Sequence, residues 1–131
     1  MRSYSDTIFA LATGKTKSAL SVFRVSGEKS IKIIPRLCNR KNIKNKTPTV
    51  CYFLDNKKNK IDQVVMTVYK SPKSYTGEDM LEISSHGSIA VMNKINEILI
   101  LNKIRPADPG EFTKRALLNN KLNVIQAETI N

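Results

Sequence analysis

The chain of 131 residues contains no tryptophan, one histidine and two cysteines. Each scarcity excludes something. A single histidine, His86, cannot build a two-histidine metal site. Two cysteines are no disulfide framework and cannot fill a four-ligand zinc site. Cys38 and Cys51 therefore read as buried thiols in a reducing cytosol, and the expected location is cytoplasmic. Long apolar runs are missing as well: nothing approaches the ~20 residues a bilayer requires, and the first residues show no signal-peptide apolar region. Acidic residues are few, 11 against 22 Lys+Arg, for a net charge of +11. What is present is a 40% hydrophobic fraction, enough for one core. The length suits one domain, not two enzyme domains.

The positive charge is unevenly spread. From Glu28 to Lys60 there are 10 basic and 2 acidic residues, an excess of +8. The blocks KNIKNK and NKKNK read as solvated surface loops or as an RNA-phosphate footprint. No aromatic residue is interleaved with these lysines, so the stacking of a single-strand platform is not expected.

Hydrophobic periodicity orders the rest. Thr7–Thr13 and Ser18–Val25 read as two strands joined by the loop GKTK. Alternation on the second puts Leu20, Val22 and Arg24 on one face. Arg24 thus either reaches solvent at a strand end or faces a pocket. Ser26 is expected to cap a helix carrying Ile31, Ile34, Leu37 and Cys38, kinked or shortened by Pro35. Thr49–Leu54 and Ile61–Tyr69 read as strands around a turn, the second apolar on both faces and so central. Met80–Ser84 reads as a short strand with Leu81 and Ile83 on one side and Met80, Glu82 and Ser84 on the other. A helix from about Ser88 to Lys103 follows. RPADPGEF reads as an irregular connector, Glu111–Asn119 as a helix, and Leu122–Asn131 as the start of another. The order predicts an α+β (mixed α/β) domain: a single mixed sheet of about five strands, with helices on one face.

Two phosphate motifs fail. Gly14-Lys15-Thr16 lacks the P-loop's first glycine, because that position is Phe9. Asn120-Lys121-Leu122-Asn123 ends in Asn where a guanine reader has Asp. Three polar sets remain. In SYTGEDMLEISSHG, Glu82 shares a face with Met80 and Ser84 and looks at one cavity. Such a carboxylate either pairs with Arg24 or Lys70, or reads the two parallel N–H donors of an amino-pyrimidinone such as guanine or a pterin. His86 precedes a helix whose free N–H groups can hold an anion, or it packs on its own turn. Lys114, Arg115 and Lys121 can bind an anionic tail or are ordinary helix-surface charges.

The stretches SDTIFALAT, FRVSG, SYTGEDMLEISSHGS and PADPGEFTKRALLNNKLNVIQAE, in this order and spacing, resemble the N-terminal domain of the MnmE (TrmE) family of tRNA-modification GTPases. The resemblance covers nearly the whole chain and is weak between Glu28 and Lys60. It implies half of the folate-binding fold of the aminomethyltransferases. It implies binding of 5-formyl- or 5,10-methylene-tetrahydrofolate and homodimerisation. It also implies a part in modifying C5 of the tRNA wobble uridine (the carboxymethylaminomethyl pathway) with a GidA-type flavoprotein. Motif by motif, it points to Arg24 and Glu82 as folate-site residues and to Ser84, Ser85 and His86 as neighbours of the pterin or one-carbon group. Arg115, Asn119 and Lys121 would lie near the pocket or the folate's glutamate tail.

Departures accompany the match. A Gly-rich turn of the family is GKTKSALS here, and its HGG is HGS, where Ser88, a good N-cap residue, starts the helix. The family continues through a helical domain, a GTPase domain dependent on potassium and magnesium, and a C-terminal Cys motif. Residues 1–119 are thus expected to form the folate-binding domain and 120–131 to begin the helical one. On that reading the chain is a non-catalytic fragment that cannot hydrolyse GTP alone, and no catalytic residue or metal ligand is expected within it. The alternative is a stand-alone basic RNA-binding domain without folate.

Overall fold

A computed structural model describes residues 6–14 and 19–119. The strands are β1 (Ile8–Leu11), β2 (Leu20–Ser26), β3 (Thr49–Leu54), β4 (Lys60–Tyr69), β5 (Met80–His86) and β6 (Arg105–Pro106). The helices are α1 (Lys29–Lys32), α2 (Ile34–Leu37), α3 (Ile89–Leu101) and α4 (Glu111–Leu118). The strands form one mixed sheet in the order β3-β4-β5-β2-β1-β6. All pairings are antiparallel except β1 with β6, which is parallel. The α+β expectation holds, and the sixth strand is the two-residue β6, inside the segment expected to be an irregular connector. Pairing there needs only Arg105 N and Ala107 N donating to Thr7 O and Phe9 O, so Pro106 sits at an edge where no amide is required of it.

Period-2 alternation gives the sheet two unlike faces. Core rows run across it: Phe9–Val25–Leu81–Val68 and Leu11–Phe23–Ile83–Met66. They pack with Met92, Ile95, Ile98 and Leu99 of α3 and with Ile34 and Leu37 of α2. Between those core rows, on the opposite face, lies Ala10–Arg24–Glu82–Thr67. The interior place of β4 is as expected, although its burial is one-sided: Val64, Met66 and Val68 are buried while Val65 and Tyr69 are half-exposed.

The helix starts divide. Ser88 caps α3 as expected, its hydroxyl accepting from Val91 N. Ser26 does not cap a helix. It ends β2, and its buried hydroxyl shares a 2.7 Å hydrogen bond with Thr76 Oγ1 and donates to Glu78 Oε1 at 2.7 Å. Gly27, at φ +133°, makes the turn that follows, and the helix begins only at Lys29. The single helix expected after Ser26, kinked or shortened by Pro35, is two one-turn helices, because Pro35 is accommodated in the first turn of α2, where its missing N–H costs nothing. Residues 120–131, including Lys121, Leu122, Ile125 and Ile130, lie outside the described residues, as does most of the GKTK loop. Among the described residues no helix is long and apolar enough to cross a membrane, and no cluster of three or more His, Cys, Asp or Glu could hold a metal.

Candidate ligand-binding site

The register of the two central strands puts Arg24 of β2 directly opposite Glu82 of β5. Arg24 Nε donates to Glu82 Oε2 at 3.3 Å. The side chains are 50% and 29% exposed, so this pair is within reach of a ligand. An exposed pair of this kind contributes at most about 1 kcal/mol to stability. Its bonding capacity is therefore available for recognition.

Around the pair the surface is mainly apolar and aromatic. Tyr69, Tyr75, Met80 and Leu81 line one hollow of about 220 Å³ with Arg24 and Glu82. Ala10, Ala12 and Phe112 line a second of about 220 Å³, which also meets Arg24 and Tyr75. Neither reaches the ~300 Å³ lower end of pockets that hold a whole ligand, so an elongated molecule would occupy both. Tyr75 is tethered by its hydroxyl to Thr113 Oγ1 at 3.0 Å, which links the 70–79 loop to α4.

That loop and α4 are held by a buried charge network. Arg115 is 1% exposed. Its Nη1 donates to Asp6 O at 2.8 Å and Glu78 Oε1 at 3.1 Å, and its Nη2 to Asp6 Oδ1 at 2.7 Å and Glu111 Oε2 at 3.3 Å. Arg105 closes the other side, Nη2 reaching Glu111 Oε2 and Nε reaching Asp6 Oδ2, both at 2.7 Å. The hydrogen bond from Arg105, then the amide of Asp108 and the two guanidinium charges, lower the Glu111 carboxyl to about 2. Hydrogen bonds from Arg105 and Arg115 lower Asp6 as well.

The sequence candidates thus separate into places. Arg24 and Glu82 come together. Ser84 is on their face but lines a different shallow hollow with Leu20, Val50, Val65 and His86. Ser85 points to the buried face, opposite Ser21, and its hydroxyl donates to His86 O. His86 turns to Asp62, with Nδ1 2.8 Å from Oδ1 and the His86 amide donating to Oδ2 at 2.9 Å. Arg115 is committed to its carboxylates. Asn119 Nδ2 donates to Thr76 O and Arg115 O, both at 2.9 Å, pinning the end of α4 to the loop. Sequence reasoning missed Tyr69, Tyr75 and Phe112 as lining residues, and Asp62 as the partner of His86. Alternation could have found Tyr69, two residues beyond Thr67 on the face of Glu82.

Fold and site define a single-sheet α+β domain with an accessible ion pair on two central strands, walled by a loop and a short helix. The comparisons make this particular. The family model described as "GTP-binding protein TrmE N-terminus" matches residues 7–121, and the chain belongs to that family. It is 41% identical over 127 residues to the tRNA modification GTPase MnmE of Malacoplasma penetrans, covering 97% of this chain and 29% of that protein. The same-named protein of Pseudothermotoga lettingae is 45% identical, over 95% of this chain and 28% of its own length. That of Thermus thermophilus is 41% identical, over 99% and 31%. The chain therefore spans less than a third of these relatives, and corresponds to their N-terminal domain.

Proposed function

We propose that this domain binds a one-carbon-loaded tetrahydrofolate in the Arg24–Glu82 hollows and pairs with a second copy of itself, as the N-terminal part of a protein that modifies the wobble uridine of tRNA. The observation that carries the reading is the accessible Arg24–Glu82 pair set among aromatic and apolar side chains. A carboxylate accepts two parallel N–H donors, which is what the amino-pyrimidinone edge of a pterin offers. Tyr69 and Tyr75 supply ring faces for its bicycle, and the second hollow gives the benzoyl arm an apolar wall through Phe112. The folate would supply the carbon unit. The chain's own side chains would bind and orient it, and none needs to act as acid or base.

Self-association is supported by the exposed apolar part of the helix-poor sheet face. Leu20 and Val50 are 57% and 52% exposed, and they border one hollow of about 260 Å³ with Val65. Participation in tRNA modification rests on the names of the relatives, and a GidA-type flavoprotein as partner of the whole protein rests on the family resemblance alone.

Calorimetric titration with 5-formyltetrahydrofolate, with the solution mass measured in parallel, tests the proposal. Saturable binding is expected. A charge-assisted hydrogen bond contributes about 1.5–3 kcal/mol, so Glu82→Ala should weaken binding by about 10- to 150-fold while the circular dichroism spectrum stays native. No saturable binding by the folded, dimeric protein would overturn it. Binding to tRNA without folate, with an affinity that falls steeply with salt, would favour the RNA-binding alternative.

A further inference from the structure

The two cysteines, distant from the folate hollows in the sheet, occupy one place in the core. Cys38 ends α2 in an extended conformation, φ −151° and ψ 178°. It there makes an antiparallel bridge with Phe53 of β3, and the next residue, Asn39, accepts from Tyr52 N through Oδ1 at 2.9 Å. This short pairing aligns residues 38 and 39 with the edge strand. On β3, Cys51 and Phe53 share the buried face, whereas Val50 and Tyr52 do not. Cys51 is therefore the diagonal same-face neighbour of Cys38, a relation in which side chains across a strand pair meet. Both thiols are free and buried, and Cys38 Sγ donates to Ile34 O at 3.4 Å and to Arg40 O at 3.8 Å.

We propose that Cys38 and Cys51 are the site of a reversible intramolecular disulfide, formed with a peroxide as oxidant, which would staple the end of α2 to the edge strand. Their surroundings divide the roles. The hydrogen bond from Cys51, aided by the charges of Arg40 and Lys58, lowers the Cys38 thiol to about 7. Cys51 is raised, its hydrogen bond to Cys38 and its burial favouring the protonated form. Arg40 and Lys58 bring positive charge to Cys38, which assigns Cys38 as the attacking sulfur and Cys51 as the resolving thiol. Cys38 sulfur attacks one peroxide oxygen, the O–O bond breaks, and hydroxide leaves, taking up the proton that Cys38 released. Cys51 sulfur then displaces water from the sulfenic acid, giving up its own proton to that water. Two thiols are oxidised by two electrons, and one hydrogen peroxide becomes two waters. The disulfide would hold the connection that carries Lys41, Lys44 and Lys46 against the sheet.

The test is peroxide treatment of the reduced 131-residue protein, followed by alkylation in denaturant and mass spectrometry. The expected product has lost about 2 Da and both alkylatable thiols. It yields a Cys38–Cys51 linked peptide, stays monomer-linked at every protein concentration, and reverts with dithiothreitol. Cys51→Ser should instead trap a dimedone-reactive sulfenic acid on Cys38. The wild-type mass readout decides even where that variant does not fold. Two unmodified thiols after treatment, cross-links only between chains, or over-oxidation of one cysteine without a linked peptide would each overturn the proposal.

Discussion

Replacing Arg115 by alanine should cost the protein stability, whereas replacing Glu82 should cost it a ligand. Arg115 is 1% exposed and donates from both terminal nitrogens to Asp6, Glu78 and Glu111. Removing one partner of a buried ion pair typically costs about 3–5 kcal/mol, because the remaining charge is left in a poor solvent. Three features place this case at the lower end. Arg105 still holds Glu111 and Asp6. Asp6 keeps partial contact with water. Arg115 Nε is a buried donor without a partner, and truncation removes that cost. The expected loss is therefore about 3 kcal/mol, a large share of the ~5–15 kcal/mol by which domains are stable. With urea slopes of about 1–3 kcal/mol per molar, the unfolding midpoint should fall by about 1–3 M. Arg115→Lys should lie between, since a point charge cannot make the two-pronged contacts. Glu82→Ala should leave the unfolding free energy within about 1 kcal/mol of the wild type, because its pair is solvent-screened. Urea unfolding followed by circular dichroism measures all three. An Arg115→Ala loss below about 1 kcal/mol would refute the view that this arginine holds the α4 wall together.

Three further outcomes are expected. The folded-state carboxyls of Glu111 and Asp6 are depressed below their ordinary values, so the stability they contribute is complete above about pH 4.5 and declines as pH falls toward the Glu111 value of about 2; urea midpoints across that window should show the fall, and a flat profile would contradict it. Gly27→Ala should destabilise by about 2–3 kcal/mol, since Gly27 has φ +133° and an added Cβ would come 2.7 Å from Thr7 Cα, combining backbone strain with a clash; thermal unfolding reads this, and an unchanged midpoint would refute it. Leu20→Lys with Val50→Lys should turn a dimer into a folded monomer by light scattering, because charge would replace the exposed apolar surface; a persisting dimer would move the interface elsewhere.

Local patterning reached far into this chain. Apolar alternation marked β3 at its actual bounds and separated Leu81 and Ile83 from Glu82 on β5. Ser88 before an amphipathic run announced α3 and its cap. The TGED–LE–HG and PGEF stretches carried the family. These signals are legible because each is a short-range property of the backbone: a strand repeats every two residues, a helix every 3.6, and a cap lies within one turn. Other local signals misled. Ser26 looked like a helix cap, but distant Thr76 and Glu78 claimed its hydroxyl. No aromatic is interleaved with the lysine blocks in sequence, yet pairing of β3 with β4 brings Lys60 to 4.3 Å from the centre of the Tyr52 ring.

Only the tertiary structure decided which charges meet and which are hidden. That Arg24 faces Glu82 follows from the register of β2 on β5, which no local period specifies. That Arg115 is buried, though its helix is short and its neighbours polar, depends on Asp6, Glu78 and Glu111 converging from three separate parts of the chain. That Cys38 lies diagonal to Cys51 depends on a single bridge between the end of a helix and an edge strand. The sequence by itself determined most of the elements, their order and the family. The structure determined the partners, because pairing across long stretches of chain is chosen by the burial of the whole sheet and not by the residues adjacent in sequence.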